Sequence, residues 1–137
     1  ELEGTIIQKA TMLESVILWN NGNGTFTIEK LPLEAQISPI YAILLEDLDN
    51  DGVKDILLGG NLHNVKPEIG RYDASYGVLL KGLGKRKFDI VVTKDSGLFL
   101  QGEIRDFGWI NAKGRKILTV VRNNASIQFF EFKMSEI

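Results

Sequence analysis

Between positions 47 and 55 the chain reads Asp47-Leu48-Asp49-Asn50-Asp51-Gly52-Val53-Lys54-Asp55, and no other stretch restricts the fold so strongly. Aspartates at loop positions one, three, five and nine, with glycine at six, are suited to wrapping carboxylate oxygens around a hard cation. Ca2+ fits such a set best, because it takes about six to eight oxygen ligands at roughly 2.3–2.6 Å in flexible geometry. The expected ligands are the carboxylates of Asp47, Asp49, Asp51 and Asp55 and the main-chain carbonyl of Val53, with Gly52 allowing the sharp turn. The competing reading is an acidic turn without an ion, since Asp, Asn and Gly all form turns. Carboxylates this crowded repel one another in the absence of a cation, which favours the ion.

An EF-hand or dockerin-type loop needs an acidic ligand at position twelve and a helix on its exit side. Position twelve here is Leu58. The flanks Ile40 to Leu45 and Ile56 to Leu58 are short apolar runs rich in β-branched residues, too short for EF-hand helices. The stretch therefore reads as strand, calcium loop, strand.

The loop Asp47 to Asp55, followed by Ile56-Leu57-Leu58-Gly59-Gly60, resembles the FG-GAP or VCBS repeat, which forms calcium-bearing blades of β-propellers in integrin alpha subunits and bacterial surface proteins. Asn20-Asn21-Gly22-Asn23-Gly24-Thr25-Phe26 resembles the hairpin that ends such a blade. With Arg71-Tyr72-Asp73-Ala74-Ser75-Tyr76-Gly77 and Arg122-Asn123-Asn124, the chain is similar to the C-terminal blades of bacterial VCBS-repeat proteins over most of residues 13–133. The resemblance implies an all-β fold of antiparallel four-stranded blades, a partial β-propeller of about two and a half blades. It also implies bound calcium and an extracellular, periplasmic or cell-surface location.

Three units are expected on this basis. Residues 1–39 hold the end of a first blade and a connector, with strands at Thr5 to Gln8, Ser15 to Trp19 and Thr25 to Glu29. The last of these alternates with period two, as a half-buried strand does. Residues 40–102 form a complete blade with the calcium loop, its strands at Tyr41 to Glu46, Asp55 to Leu58, Gly77 to Lys81 and Lys87 to Val92, with Gly82-Leu83-Gly84 as the last turn. Residues 103–137 form a degenerate, incomplete last blade with strands at Ile104 to Ile110, Ile117 to Arg122 and Ile127 to Phe132. There Asn111 to Lys116 stands in place of the calcium loop and offers Lys113, Arg115 and Lys116 where carboxylates would be needed, so no second calcium is expected. Gly22 and Gly82, like Gly52 and Gly114, lie about 60 positions apart, a spacing that suits a radially repeated sheet.

A propeller needs at least about four blades to close. The open strand edges are therefore expected to be covered by a partner chain or by the rest of a longer parent protein. The chain begins with Glu1 and has no signal-like segment, so it reads as a piece of something longer or a processed form.

Composition removes several functions. A net charge of -2 argues against a nucleic-acid surface, which would show a basic stripe. The absence of cysteine removes disulfides and thiolate nucleophiles. No run approaches the roughly 20 apolar residues of a membrane span. His63 is the single histidine and reads as an ordinary loop residue, and no serine sits in a nucleophile-elbow pattern. Lys85-Arg86-Lys87 reads as a solvated turn, and Trp19, Trp109, Phe129, Phe130 and Phe132 as packing between sheets.

Two function classes fit. The first is a non-catalytic, calcium-stabilised module that presents loops to a protein or glycan ligand; the alternative is a fragment of a propeller enzyme acting on carbohydrate, with its active site on blades outside this sequence. In an antiparallel meander successive loops alternate between opposite ends of the strands. The segments Asn61 to Ser75 and Lys94 to Gly102 should therefore share the end away from the calcium loop. Arg71, Tyr72, Asp73 and Tyr76 are the first ligand-binding candidates there, since they combine charge with flat apolar area. The competing structural reading gives Asp73 an Asx turn and lets the tyrosines cover the blade edge.

Overall fold

The computed structural model describes residues 4–6 and 8–131. Nine strands lie among them: β1 (Val16–Asn20), β2 (Phe26–Lys30), β3 (Ile40–Glu46), β4 (Asp55–Gly60), β5 (Val78–Gly84), β6 (Lys87–Val91), β7 (Ile104–Ala112), β8 (Arg115–Arg122) and β9 (Gln128–Glu131). Every pairing is antiparallel between strands adjacent in sequence, giving sheets of two, four and three strands and no closed barrel. The fold is all-β, with one complete four-stranded blade of a partial propeller. The chain divides into two compact units, Glu1–Leu31 and Pro32–Ile137.

In the first unit β1 and β2 form a hairpin with Trp19 opposite Thr27. Asparagines build its turn: Gly22 N–H donates to Asn20 Oδ1 at 2.8 Å and Thr25 N–H to Asn23 Oδ1 at 3.1 Å. Such local bonds are why Asn is favoured in turns. Trp19 Nε1 donates to Glu29 Oε2 at 2.5 Å across the ribbon. Two expectations fail here. All of β2 is exposed, not half-buried, because a two-stranded ribbon has no second layer within its own unit. Thr5, Ile6 and Gln8 belong to no strand, and Ile7 lies outside the described residues. Their β-branched content raises strand propensity, but a strand needs a ladder partner for its backbone groups.

The second unit contains two meanders, β3-β4-β5-β6 and β7-β8-β9, with β7 packed against β3 and β4. Ala42, Leu57, Leu79, Ile104, Leu118 and Val120 meet between them as the core, joined by Leu48, Leu98 and Leu100 from the loops. All six residues of β4 are buried, which its unalternating apolar run anticipates. Gly59 suits this interface because a Cβ there would lie 2.6 Å from Ile104 Cγ2.

The last turn of the blade differs from the expected Gly82-Leu83-Gly84. β5 runs through Gly84, and the turn is Lys85-Arg86, with φ of 50° and 63°. Two successive positive φ angles match the twist of a tight hairpin. Gly82 answers to a different constraint, since a Cβ there would stand 2.3 Å from the Lys54 carbonyl oxygen. Asn111 to Lys116 is a tight turn around Lys113-Gly114 that joins β7 to β8, as the Asp47 loop joins β3 to β4.

The connectors hold one 3-10 turn at Leu33–Ala35 and a single helical turn, α1 (Thr93–Ser96). Trp109 and Phe130 pack against the core, whereas Phe129 is 58% exposed because alternation along β9 turns it to the opposite face. Phe132, expected in this strand, lies outside the described residues. Among the described residues no helix is long and apolar enough to cross a membrane.

Candidate functional site

The loop between β3 and β4 folds back on its own carboxylates. Asp51 N–H lies 3.1 Å from Asp47 Oδ1 and 3.2 Å from Asp49 Oδ1, and Gly52 N–H donates to Asp47 Oδ2 at 3.0 Å. Val53 N–H donates to Asp51 Oδ1 at 2.7 Å. Asn50 and Gly52 take positive φ of 58° and 87°, so the glycine expected to permit the sharp turn does so.

Asp55 has a second job. Its side chain is buried, with Oδ2 accepting Leu48 N–H and Oδ1 accepting Gly82 N–H, each at 2.8 Å. One carboxylate thus ties the loop to β5, and the close approach that requires Gly82 brings its N–H within reach.

The structure brings Asp47, Asp49 and Asp55 together, each offering an oxygen, with these atoms all within 4.8 Å of one another. Oxygens about 2.4 Å from a common ion lie at most about 4.8 Å apart, so this triad can hold a metal ion. Its all-oxygen donors suit a hard cation. Asp51 stands outside the triad and caps the backbone N–H of Val53.

Lys81 of β5 supplies a positive charge at the same place, its Nζ 2.5 Å from Asp49 Oδ2. That hydrogen bond is the chief reason the Asp49 carboxyl lies below its ordinary value, working against desolvation. The same bond raises Lys81, with further help from the charges of Asp49, Asp51 and Asp55. Sequence reasoning missed Lys81. Its signal was a lone cation in the otherwise apolar run Val78-Leu79-Leu80-Lys81-Gly82-Leu83.

At the other end of the strands, Asn61 to Ser75 and the α1 connection do meet. Asn61, buried and at φ 76°, donates through Nδ2 to Ser75 O at 2.7 Å and Gly102 O at 3.0 Å, and accepts Ser38 Oγ at 2.7 Å. Leu62 and Tyr72 exchange backbone hydrogen bonds of 2.8 and 2.9 Å, which gives the long loop a two-sided stem. Tyr76 stacks on Phe99 of the connection with ring centroids 4.5 Å apart and is 47% exposed. Tyr72 is 44% exposed. Asp73 is exposed and, among the described residues, its carboxylate makes no hydrogen bond; the Asx turn expected there is not formed.

Glu103, also missed from sequence, organises this end. It is 5% exposed; Oε1 accepts His63 N–H at 3.0 Å and Arg105 Nη2 at 2.8 Å, and Oε2 accepts Asn123 Nδ2 at 2.9 Å. The His63 N–H is the largest influence holding its carboxyl below the ordinary glutamate value; Asn123 and the Arg105 charge add to it against desolvation. A cavity of about 400 Å³ opens beside it, and Arg71 is among its walls.

In comparisons with known proteins, no family model, no curated protein and no solved structure matched the chain. The resemblance to FG-GAP and VCBS repeats therefore rests on the motif residues of the sequence alone.

Proposed function

We propose that the protein is a calcium-stabilised propeller module of the FG-GAP/VCBS kind, non-catalytic, that serves binding of a protein or glycan in an extracellular, periplasmic or cell-surface setting. The observation that carries this reading is the convergence of Asp47, Asp49 and Asp55 within 4.8 Å on a strand-to-strand loop. The proposed ligand set adds Asp51 and the Val53 carbonyl to that triad, with water completing the shell. A bound divalent ion would offset the mutual repulsion of the carboxylates and fix the connection between β3 and β4, leaving the loops at the opposite end free to meet a partner. Open strand edges would be covered by a partner chain or by further blades. Calorimetric titration of chelator-stripped protein tests the proposal. One calcium per chain is expected, and heatless titration with an unshifted melting curve would remove its basis.

A further inference from the structure

The cavity at the end of the strands away from the aspartate loop is built from three separate segments. His63, Asn64 and Arg71 come from the long loop, Glu103 from the start of the last sheet, and Asn123 and Asn124 from the turn between β8 and β9. Its volume of about 400 Å³ lies within the range of small-molecule sites, roughly 300–1,000 Å³. The Glu103 floor is rigid, because both carboxylate oxygens are occupied and Arg105 balances the charge.

The remaining groups have no such commitments. Among the described residues the Arg71 guanidinium and the side-chain amides of Asn64 and Asn124 make no hydrogen bond or ion pair. His63 Nε2 is shut off from solvent and likewise has no partner among them. With Glu103 balanced by Arg105, Arg71 leaves one excess cation on the wall, and its planar fork of donors matches a carboxylate. Amides offer both a donor and an acceptor, the pattern that adjacent hydroxyls require. Ala125 is the one apolar side chain in the lining, so the cavity favours a polar ligand.

We propose that this cavity binds an acidic sugar unit, its carboxylate held by Arg71 and its hydroxyls by Asn64 and Asn124. A peptide C-terminus would present the same carboxylate without the run of adjacent hydroxyls that the amides match. The proposal rests on the reading of the protein as a binding module and names its ligand class.

The test is calorimetric titration of the full chain with glucuronate, galacturonate, glucose, inorganic phosphate and a short peptide carrying a free C-terminal carboxylate, each with calcium and with chelator. At least one uronate should bind, with glucose at least about tenfold weaker, as loss of a charge-assisted bidentate pair predicts. Arg71→Ala should weaken the uronate at least about tenfold, and Asn124→Asp should weaken it by setting a like charge against the carboxylate. Lys87→Ala, on β6 and outside the cavity, should change nothing. Thermal melting checks that each variant is folded. No uronate binding at about 10 mM, equal binding by Arg71→Ala, or phosphate or peptide binding as tight as the uronate would each overturn the proposal. Calcium uptake without uronate binding would count against this cavity alone, and uronate binding without calcium uptake would count against the metal reading alone.

Discussion

Lys81 Nζ sits 2.5 Å from Oδ2 of Asp49, which places a cation of the protein's own against a carboxylate proposed to hold calcium. The lysine relieves part of the crowding among the aspartates and opposes the arrival of a second cation. Replacing Lys81 with methionine should therefore tighten calcium binding by roughly threefold at low salt, the scale of a partly exposed charge pair. The gain should shrink as ionic strength rises. Unaltered affinity at low salt would show that the lysine and the ion do not compete.

Asp49→Ala should weaken calcium at least about tenfold from a starting affinity on the order of micromolar to millimolar, the range of sensor and extracellular sites. Calorimetry on the stripped variant reads this directly. Unchanged binding would remove Asp49 from the ligand set.

An ion that binds only the folded state adds about 2.7 kcal/mol when its free concentration is a hundredfold above Kd. Chelation should accordingly lower the melting temperature, and calcium should restore it. Magnesium should restore it poorly, because it demands a tighter octahedron and releases its waters reluctantly. Equal rescue by both ions would argue against calcium as the preferred occupant.

Asp55 accepts the N–H groups of Leu48 and Gly82, bonds that do not need an ion. Asp55→Ala strands two backbone donors and should cost about 3 kcal/mol in chelator as well as in calcium. Denaturant unfolding under both conditions measures it. A cost seen only with calcium would make Asp55 purely a metal ligand.

Glu103 fixes the sign of the acid response. Its folded value is depressed, so its contribution to stability is complete above the unfolded value, about 4.3, and is lost as pH falls through the folded value. Glu103→Gln should be less stable than the parent by about 2 kcal/mol at neutral pH, and the gap should narrow as pH falls below the unfolded value and close once the folded carboxyl is protonated. A gap that persists at low pH would assign the loss to shape, not to charge.

Local pattern decided much of this protein. Carboxylate spacing from Asp47 to Asp55 marked the loop, the apolar runs beside it marked β3 and β4, and meander connectivity placed Asn61 to Ser75 and the α1 connection at the opposite end. All of these are properties of neighbouring residues or of chain order. Register and layering decided the rest. Lys81 reaches Asp49, and Gly82 reaches Asp55, because β5 lies beside β4 in one register. Glu103 gathers His63, Arg105 and Asn123 from segments far apart in sequence, and no spacing announces that meeting. β2 keeps the alternation of a half-buried strand yet stays exposed, because burial depends on a second layer that a strand's own sequence does not supply. The turn falls on Lys85-Arg86 because Gly82 is needed where backbone approaches backbone, a contact that exists only once β5 and the aspartate loop are side by side.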